Sequence, residues 1–315
     1  MSLRLGLLST ANINRAVLGG AAASEGAAEV VAVASRDEPR ARAYADEHGI
    51  GRAHGSYDAL LADPDVDTIY VPLPNALHVE WAIRALEAGK HVLVEKPLSR
   101  HPQDVERAFD AADAAGRVLQ EAFMWRYTPQ AAKLVELLPR VGELRLVRTA
   151  FSFPEREPGD VRLSAELEGG ALMDVGCYCV SGIRLVAGEP EAFAAQQTVG
   201  PEGVDVLFAG AMRMPGGVLA HFDCGMVTAH RDELEVVGSE ASLWLDDPWH
   251  NRSPAIELRT DAGTERIELT PVNPYACELQ ERAAVAAGER PARFGRDDAV
   301  AQARALAALY DAAGE

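Results

Sequence analysis

The chain has 315 residues, of which 48% are hydrophobic and 25% charged, the usage of an ordinary globular protein long enough for two domains. Its formal net charge of −18 repels phosphate backbones and argues against nucleic acid as a partner. No apolar run reaches the ~18 residues of a membrane span, and the opening MSLRLGLLST has no basic region and cleavage site of a secretory signal. The four cysteines, Cys177, Cys179, Cys224 and Cys277, form no C-x-x-C pair. They read as reduced, mostly buried thiols, and the expected location is cytoplasmic.

The first ~120 residues alternate strand and helix. Residues 3–8 are a buried strand running into the turn Ser9-Thr10-Ala11-Asn12, and a helical stretch covers 13–24. Residues 30–34 are β-branched and apolar, a second buried strand, followed by a helix over 38–48 and a short one over 57–61. A strand over 68–71 ends at Pro72-Leu73-Pro74, and a helix over 76–88 closes on Gly89. His91-Val92-Leu93-Val94 is a strand stopped by Lys96-Pro97. A helix over 102–115 and a strand over 118–121 complete the series. Such alternation predicts a doubly wound parallel sheet, a Rossmann domain over 1–122, with ligands at the carboxyl ends of the strands. Beyond it the rhythm changes. Helices near 128–138 and 171–187 flank a strand near 142–153. Strands then succeed one another over 191–269, with turns at Gly200-Pro201, Pro215-Gly216-Gly217 and Asp261-Ala262-Gly263. Helices near 275–288 and 297–312 close the chain. This predicts an α+β domain over 123–315 with a large, mainly antiparallel open sheet.

The strand ends carry the chemistry. The first βα turn, Ser9-Thr10-Ala11-Asn12-Ile13, lacks all three glycines of a dinucleotide fingerprint, although small residues still admit a pyrophosphate. Where an NAD site usually places an acid for the ribose hydroxyl, this chain has Ser35-Arg36, with Arg40 one turn later. A guanidinium pairs with a 2′-phosphate, so NADP(H) is expected in preference to NAD(H), with Asp37 as the opposing feature.

Two further stretches carry a resemblance. They are Pro72-Leu73-Pro74-Asn75-Ala76-Leu77-His78 leading to Gly89-Lys90-His91-Val92-Leu93-Val94-Glu95-Lys96-Pro97, and Gly169-Gly170-Ala171-Leu172-Met173-Asp174-Val175-Gly176-Cys177-Tyr178. Together they resemble the Gfo/Idh/MocA oxidoreductases, over nearly the whole chain. Tyr178 stands where many members have His. With the Ser-Thr-Ala turn and Met124-Trp125-Arg126-Tyr127, it resembles the branch of dimeric dihydrodiol dehydrogenase, glucose–fructose oxidoreductase and xylose dehydrogenases. The resemblance implies a cofactor site formed by Thr10, Asn12, Ile13, Pro72, Leu73, Asn75, His78, Glu95, Trp125 and Arg126. It also implies a homodimer or homotetramer formed through the C-terminal sheet.

Oxidising a carbinol moves a proton as well as a hydride, and a partly desolvated lysine at a strand end can relay it. Lys96 and Tyr178 are the expected proton-handling pair, with either as the immediate acceptor, and Asp174, at i, i+4 from Tyr178, orients substrate or Lys96. Trp125-Arg126 stack near the nicotinamide or touch substrate. His221, His230 and Tyr275 are weaker substrate-side candidates. Asp246-Asp247 with His250 resembles a metal cluster but reads better as a solvated turn, and no metal is expected. The substrate expected is a small sugar, cyclitol or trans-diol, with specificity in loops that include a lid over 153–170. Two competing readings are an enzyme that retains its cofactor between two sugars, and a catalytically silent nucleotide-binding regulator.

Overall fold

The structure, a computed structural model, describes residues 2–155, 157 and 159–314. They divide into two compact units. One comprises the described residues up to Met124 with Asn273–Val300, the other Trp125–Val272 with the described residues from Ala301.

In the first unit, β1 (Leu3–Leu7), α1 (Asn14–Ala23), β2 (Ala28–Ala34), α2 (Glu38–His48), β3 (Arg52–His54), α3 (Tyr57–Leu61), β4 (Thr68–Val71), α4 (His78–Glu87), β5 (His91–Glu95), α5 (Pro102–Ala115) and β6 (Leu119–Ala122) follow in order. All the strand pairs are parallel, and the sheet order is β3-β2-β1-β4-β5-β6. The order reverses between β1 and β4, which opens a crevice above their carboxyl ends. Leu5, Leu7, Ile69, Tyr70, Val71, Val92, Leu93 and Val94 have no solvent exposure. Each such aliphatic side chain contributes about 2 kcal/mol by leaving water. β3, Arg-Ala-His, is the strand that hydrophobic pattern does not announce. Its three half-buried residues are held by ladder bonds to β2 at the sheet's edge.

In the second unit, α6 (Pro129–Leu137) and β7 (Leu144–Pro154) precede a π-helical turn, Leu172–Gly176, that runs directly into α7 (Cys177–Ala187). Then come β8 (Ala192–Val199), β9 (Asp205–Arg213), β10 (Leu219–Gly225), β11 (Val227–Gly238), β12 (Ser242–Leu245), β13 (Ala255–Thr260) and β14 (Gly263–Glu268). With β7 they form an eight-stranded sheet of order β14-β13-β12-β11-β7-β10-β9-β8, antiparallel except for the β7–β10 pair. One face is covered. Phe208 stacks with Phe222 and meets the ring of Tyr310, on the last helix, edge-on. The other face is open, with Ala209, Ala211, Leu219, His221 and Val227 exposed.

Two helices close the chain, α8 (Pro274–Ala286) and α9 (Arg296–Ala313). α8 returns to the first unit, where Leu279 and Ala283 join the core of β1, β2 and α1. Gly20 of α1 permits this: a Cβ there would lie 2.5 Å from Cβ of Tyr275. Packing therefore groups residues 273–300 with the Rossmann sheet, which a single cut between 122 and 123 does not represent. No helix among the described residues is long and apolar enough to cross a membrane.

Candidate active site

The first βα turn makes up for its missing glycines with side chains. Ser9 Oγ accepts from the Ala11 amide, and Asn14 Nδ2 donates to the Ser9 carbonyl at 2.7 Å. Thr10, Ala11 and Ile13 are half-buried and Asn12 exposed at the mouth of α1. α1 starts without a side-chain cap and has no acid in its first turn, whereas α2, α3, α6 and α8 are capped by Asp37, Ser56, Thr128 and Asn273. An uncapped helix start beside small residues suits a pyrophosphate.

At the end of β2, the doubt over Asp37 has a structural answer. Its carboxylate caps α2 by accepting from the Arg40 amide at 2.8 Å. Ser35 is buried and its Oγ accepts from the Asp37 amide. Arg36 and Arg40 are exposed, and Arg40 Nε donates to Thr10 Oγ1 at 2.8 Å, which joins the β1 and β2 ends. Tyr57, which sequence reasoning missed, lies within the field of both arginines; burial raises its phenol pKa and their charges oppose that rise. Two guanidiniums, the hydroxyls of Thr10, Ser35 and Tyr57, and an acid already engaged fit a 2′-phosphate.

The β5 end is braced from several sides. Tyr70 Oη donates to Glu95 Oε1 at 2.5 Å, and burial, with the Glu95 charge, pushes the Tyr70 pKa well up, so it remains a donor. The Leu98 amide donates to Glu121 Oε1 at 2.7 Å. His78 is 1% exposed, with Nδ1 2.8 Å from the Pro97 carbonyl and Nε2 2.7 Å from the Leu73 carbonyl. Both contacts are satisfied together only with a proton on each nitrogen, while burial and the Lys96 charge push the pKa down to about 4. A neutral His78 thus donates to one of the two carbonyls and packs its other nitrogen against the second, between the β4 and β5 loops. Pro72 and Leu73 are buried, Asn75 is half-buried, and Lys96 lies half-buried between these fixed points. Beneath them is Glu278 of α8, 1% exposed, whose pKa burial and Glu95 raise while Arg282 opposes. A lone acid on an amphipathic helix gave no signal of that position. Tyr275, considered for the substrate side, instead lies in this unit against α1, its pKa raised by burial and by Glu95 and Glu278.

In the second unit, Asp174 lies in the π turn and Tyr178 in the first turn of α7. Gly170, at φ +121, makes room for this start: a Cβ there would lie 2.1 Å from Asp205 Oδ1. Asp205 accepts from the Leu172 amide at 2.7 Å and from Tyr310 Oη at 2.9 Å. The Tyr178 ring, 6% exposed, meets Phe151 edge-on at 5.4 Å and Trp249 at 5.9 Å. Trp249, fully buried, donates to the Ala150 carbonyl and meets Trp125 edge-on at 5.1 Å. Arg126 Nε donates to Ser181 Oγ at 2.7 Å. Trp125 and Arg126 are therefore buried in the second unit, Trp125 against the Trp249 ring that also meets Tyr178. Asp174 Oδ2 accepts from Arg162 Nε at 3.0 Å. Of the weaker candidates, His230 Nδ1 contacts the Ser152 carbonyl and His221 stands on the open sheet face.

Asp232, Asp247 and His250 gather ligand-type atoms within 4.8 Å of one another. Arg252 already fills that role, with Nη2 2.8 Å from Asp232 and 3.0 Å from Asp247. Burial works to raise the Asp247 pKa, but hydrogen bonds from His250, Arg252 and Ser253 overcome it and hold it well below the usual carboxylate range. The group is a neutralised ion network rather than the exposed turn expected around Asp246-Asp247. Asp247 is 5% exposed, and Asp232, whose partnership with it could not be read from sequence, 8%.

Residues 4–123 match the Gfo/Idh/MocA oxidoreductase family with its NAD-binding Rossmann fold, and residues 132–244 match the family's C-terminal domain. The chain belongs to the Gfo/Idh/MocA family. It is 38% identical to D-xylose 1-dehydrogenase (NADP(+)) 2 of Haloferax volcanii, over 99% of this chain and 97% of that one. It is 33% identical to trans-1,2-dihydrobenzene-1,2-diol dehydrogenase of Xenopus laevis, over 69% of this chain and 67% of that one. The solved structure of KijD10, a 3-ketoreductase from Actinomadura kijaniata in complex with NADP and TDP-benzene, superposes with a TM-score of 0.92 at 33% identity, covering 99% of this chain and 98% of that one.

Proposed function

We propose that this family member is an NADP(H)-dependent oxidoreductase acting at a CH–OH or ketone carbon of an uncharged sugar, cyclitol or trans-diol. NADP(H), when bound, exchanges the hydride at the nicotinamide. The observation that carries the reading is the braced β5 end: Glu95, Pro97 and Leu98 are each tied to another element, so Lys96 projects from a fixed frame. Lys96 and Tyr178 hold the substrate oxygen and pass its proton, and Asp174 orients the substrate. Ser9 to Ile13 approach the pyrophosphate, Arg36 and Arg40 pair with the 2′-phosphate, and Pro72, Leu73 and Asn75 line the crevice between β1 and β4.

Two relatives support the coenzyme: one is named for NADP(+) and the other was solved with NADP. The relatives' substrates divide between a free sugar, D-xylose, and, for an A. kijaniata relative 34% identical to this chain, a dTDP-sugar. Local charge favours the uncharged class, because Asp174, Asp160 and Glu155 share the Arg162 guanidinium, an acidic setting for a diphosphate. The open sheet face serves for self-association into a dimer or tetramer. Purified protein assayed with NADP+ and NAD+ against free aldoses, cyclitols and trans-diols, alongside dTDP-sugars, tests the reading. NADP-linked turnover of an uncharged substrate is expected. No turnover of any panel member, or a clear NAD preference, contradicts it.

A further inference from the structure

The segment that precedes the π turn is anchored by one residue at two levels. Arg162 lies in a single 3-10 turn, Val161–Leu163, opened by Asp160, whose side chain accepts from the Arg162 amide at 2.9 Å. Its carbonyl accepts from the Gly170 amide at 2.8 Å, and the Gly170 carbonyl accepts from the Asp174 amide at 2.9 Å. Its side chain then spans the same gap: Nε meets Asp174 Oδ2 at 3.0 Å, while Nη1 meets Asp160 at 3.1 Å and Glu155 at 3.4 Å. The guanidinium also lies 5.8 Å from the Phe153 ring centre. Burial works against its charge, and the three carboxylates outweigh burial and push its pKa up. The Arg162 side chain is 42% exposed and that of Asp174 20%, so the pair is half-buried and reachable by solvent.

We propose that Arg162 is a positioning residue for Asp174: it fixes the carboxylate's orientation and makes that orientation depend on the docking of residues 159–170. The proposal rests on the reading that Asp174 serves the substrate. A carboxylate in a π turn has one backbone frame and several rotamers, and an Nε–H bond of a guanidinium that is itself held by two other carboxylates selects one of them. The Gly170 relay fixes the backbone, so the side-chain bond can be removed without losing the turn. Lysine supplies a point charge without the planar fork, and restores the attraction but not the full geometry.

The test is a double-mutant cycle on the full chain, R162A, D174N and both together, with R162K as the conservative variant, read in two ways. Hydrogen exchange needs no substrate: R162A and D174N should each speed exchange of amides in 159–170, and the double variant should add nothing further. In turnover of the best uncharged panel member with NADP+, R162A should lower kcat/KM about thirtyfold, while R162K recovers most of the loss, as expected for a charge-assisted bond. In the D174N background, R162A should change kcat/KM less than twofold, and affinity for NADP+ should stay constant throughout. Equal losses from R162A in both backgrounds, or unchanged exchange in R162A, overturn the proposal. If D174N itself keeps wild-type kcat/KM, the role of Asp174 fails, whatever the exchange data show.

Discussion

The two units hold their candidate site residues by different means. In the Rossmann unit, Lys96 stands between neighbours tied largely through backbone groups: the Pro97 and Leu73 carbonyls on His78 and the Leu98 amide on Glu121. In the second unit, Asp174 and Tyr178 are held by side chains, Arg162 on one and the rings of Phe151 and Trp249 on the other. A backbone-held site tolerates changes around it and fails when a brace is cut. A side-chain-held site can be retuned by substitution, which fits the proposed role of this unit in substrate selection.

The largest effect is expected at Lys96 and Tyr178, the proposed proton-handling pair. K96A and Y178F should each lower kcat by about a thousandfold with little change in NADP+ affinity, in the range of general acid–base contributions. Steady-state kinetics with fluorescence titration of NADPH checks both, and a small effect in either removes that residue from the proton path. Next is the coenzyme end. R36A/R40A should lower kcat/KM for NADP+ about a hundredfold and that for NAD+ far less, since the proposed 2′-phosphate pairing concerns NADP+ alone, whereas loss of the Arg40–Thr10 bond touches both coenzymes. A parallel loss for both coenzymes would show that the arginines act on the fold.

Cutting the brace gives a smaller loss. H78F keeps the buried volume but removes the one hydrogen bond that a neutral His78 donates to the Pro97 or Leu73 carbonyl, and about tenfold in kcat/KM is expected, together with a lower Tm, because a buried carbonyl loses its partner. The ion network of the second unit gives a stability effect with a defined pH dependence. Asp247 has a folded pKa below its ordinary 3.8, so its stabilisation is present above that value and lost as pH falls through the folded pKa. D247N should cost about 3 kcal/mol near neutral pH and progressively less in acid, in urea titrations run at several pH values. His250 has the opposite sign. Burial lowers its pKa, but Asp232 and Asp247 outweigh that, and its raised folded pKa makes its contribution fade as pH rises through that value. The smallest effect belongs to Y275F, which leaves the packing of Tyr275 on α1 in place and should keep kcat/KM within about twofold.

How much of this was legible in the sequence follows the range of the interactions. α2, α3 and α5 span the residues read for them from local pattern and stop signals, because Asp37, Ser56, Pro102 and the glycines at 49 and 116 are local causes. The π turn was read as ordinary helix, since its geometry depends on Asp205, a residue of a later strand. Asp37 reads as a carboxylate opposed to a phosphate until its bond to the Arg40 amide is seen. Arg162, Trp249, Tyr57 and Glu278 left no trace because each acquires its role from a partner distant in the chain or from burial that only the fold creates. Lys96 was legible as a motif, but the brace from His78 was not.

The most direct test of the account is a crystal structure of the protein with NADP+ and its best uncharged substrate. With the proposed roles, the reacting carbinol oxygen is expected about 3 Å from both Lys96 Nζ and Tyr178 Oη, with its carbon facing nicotinamide C4. A carbinol oxygen held by other groups, with Lys96 turned away from it, would remove Lys96 and Tyr178 from the proton path.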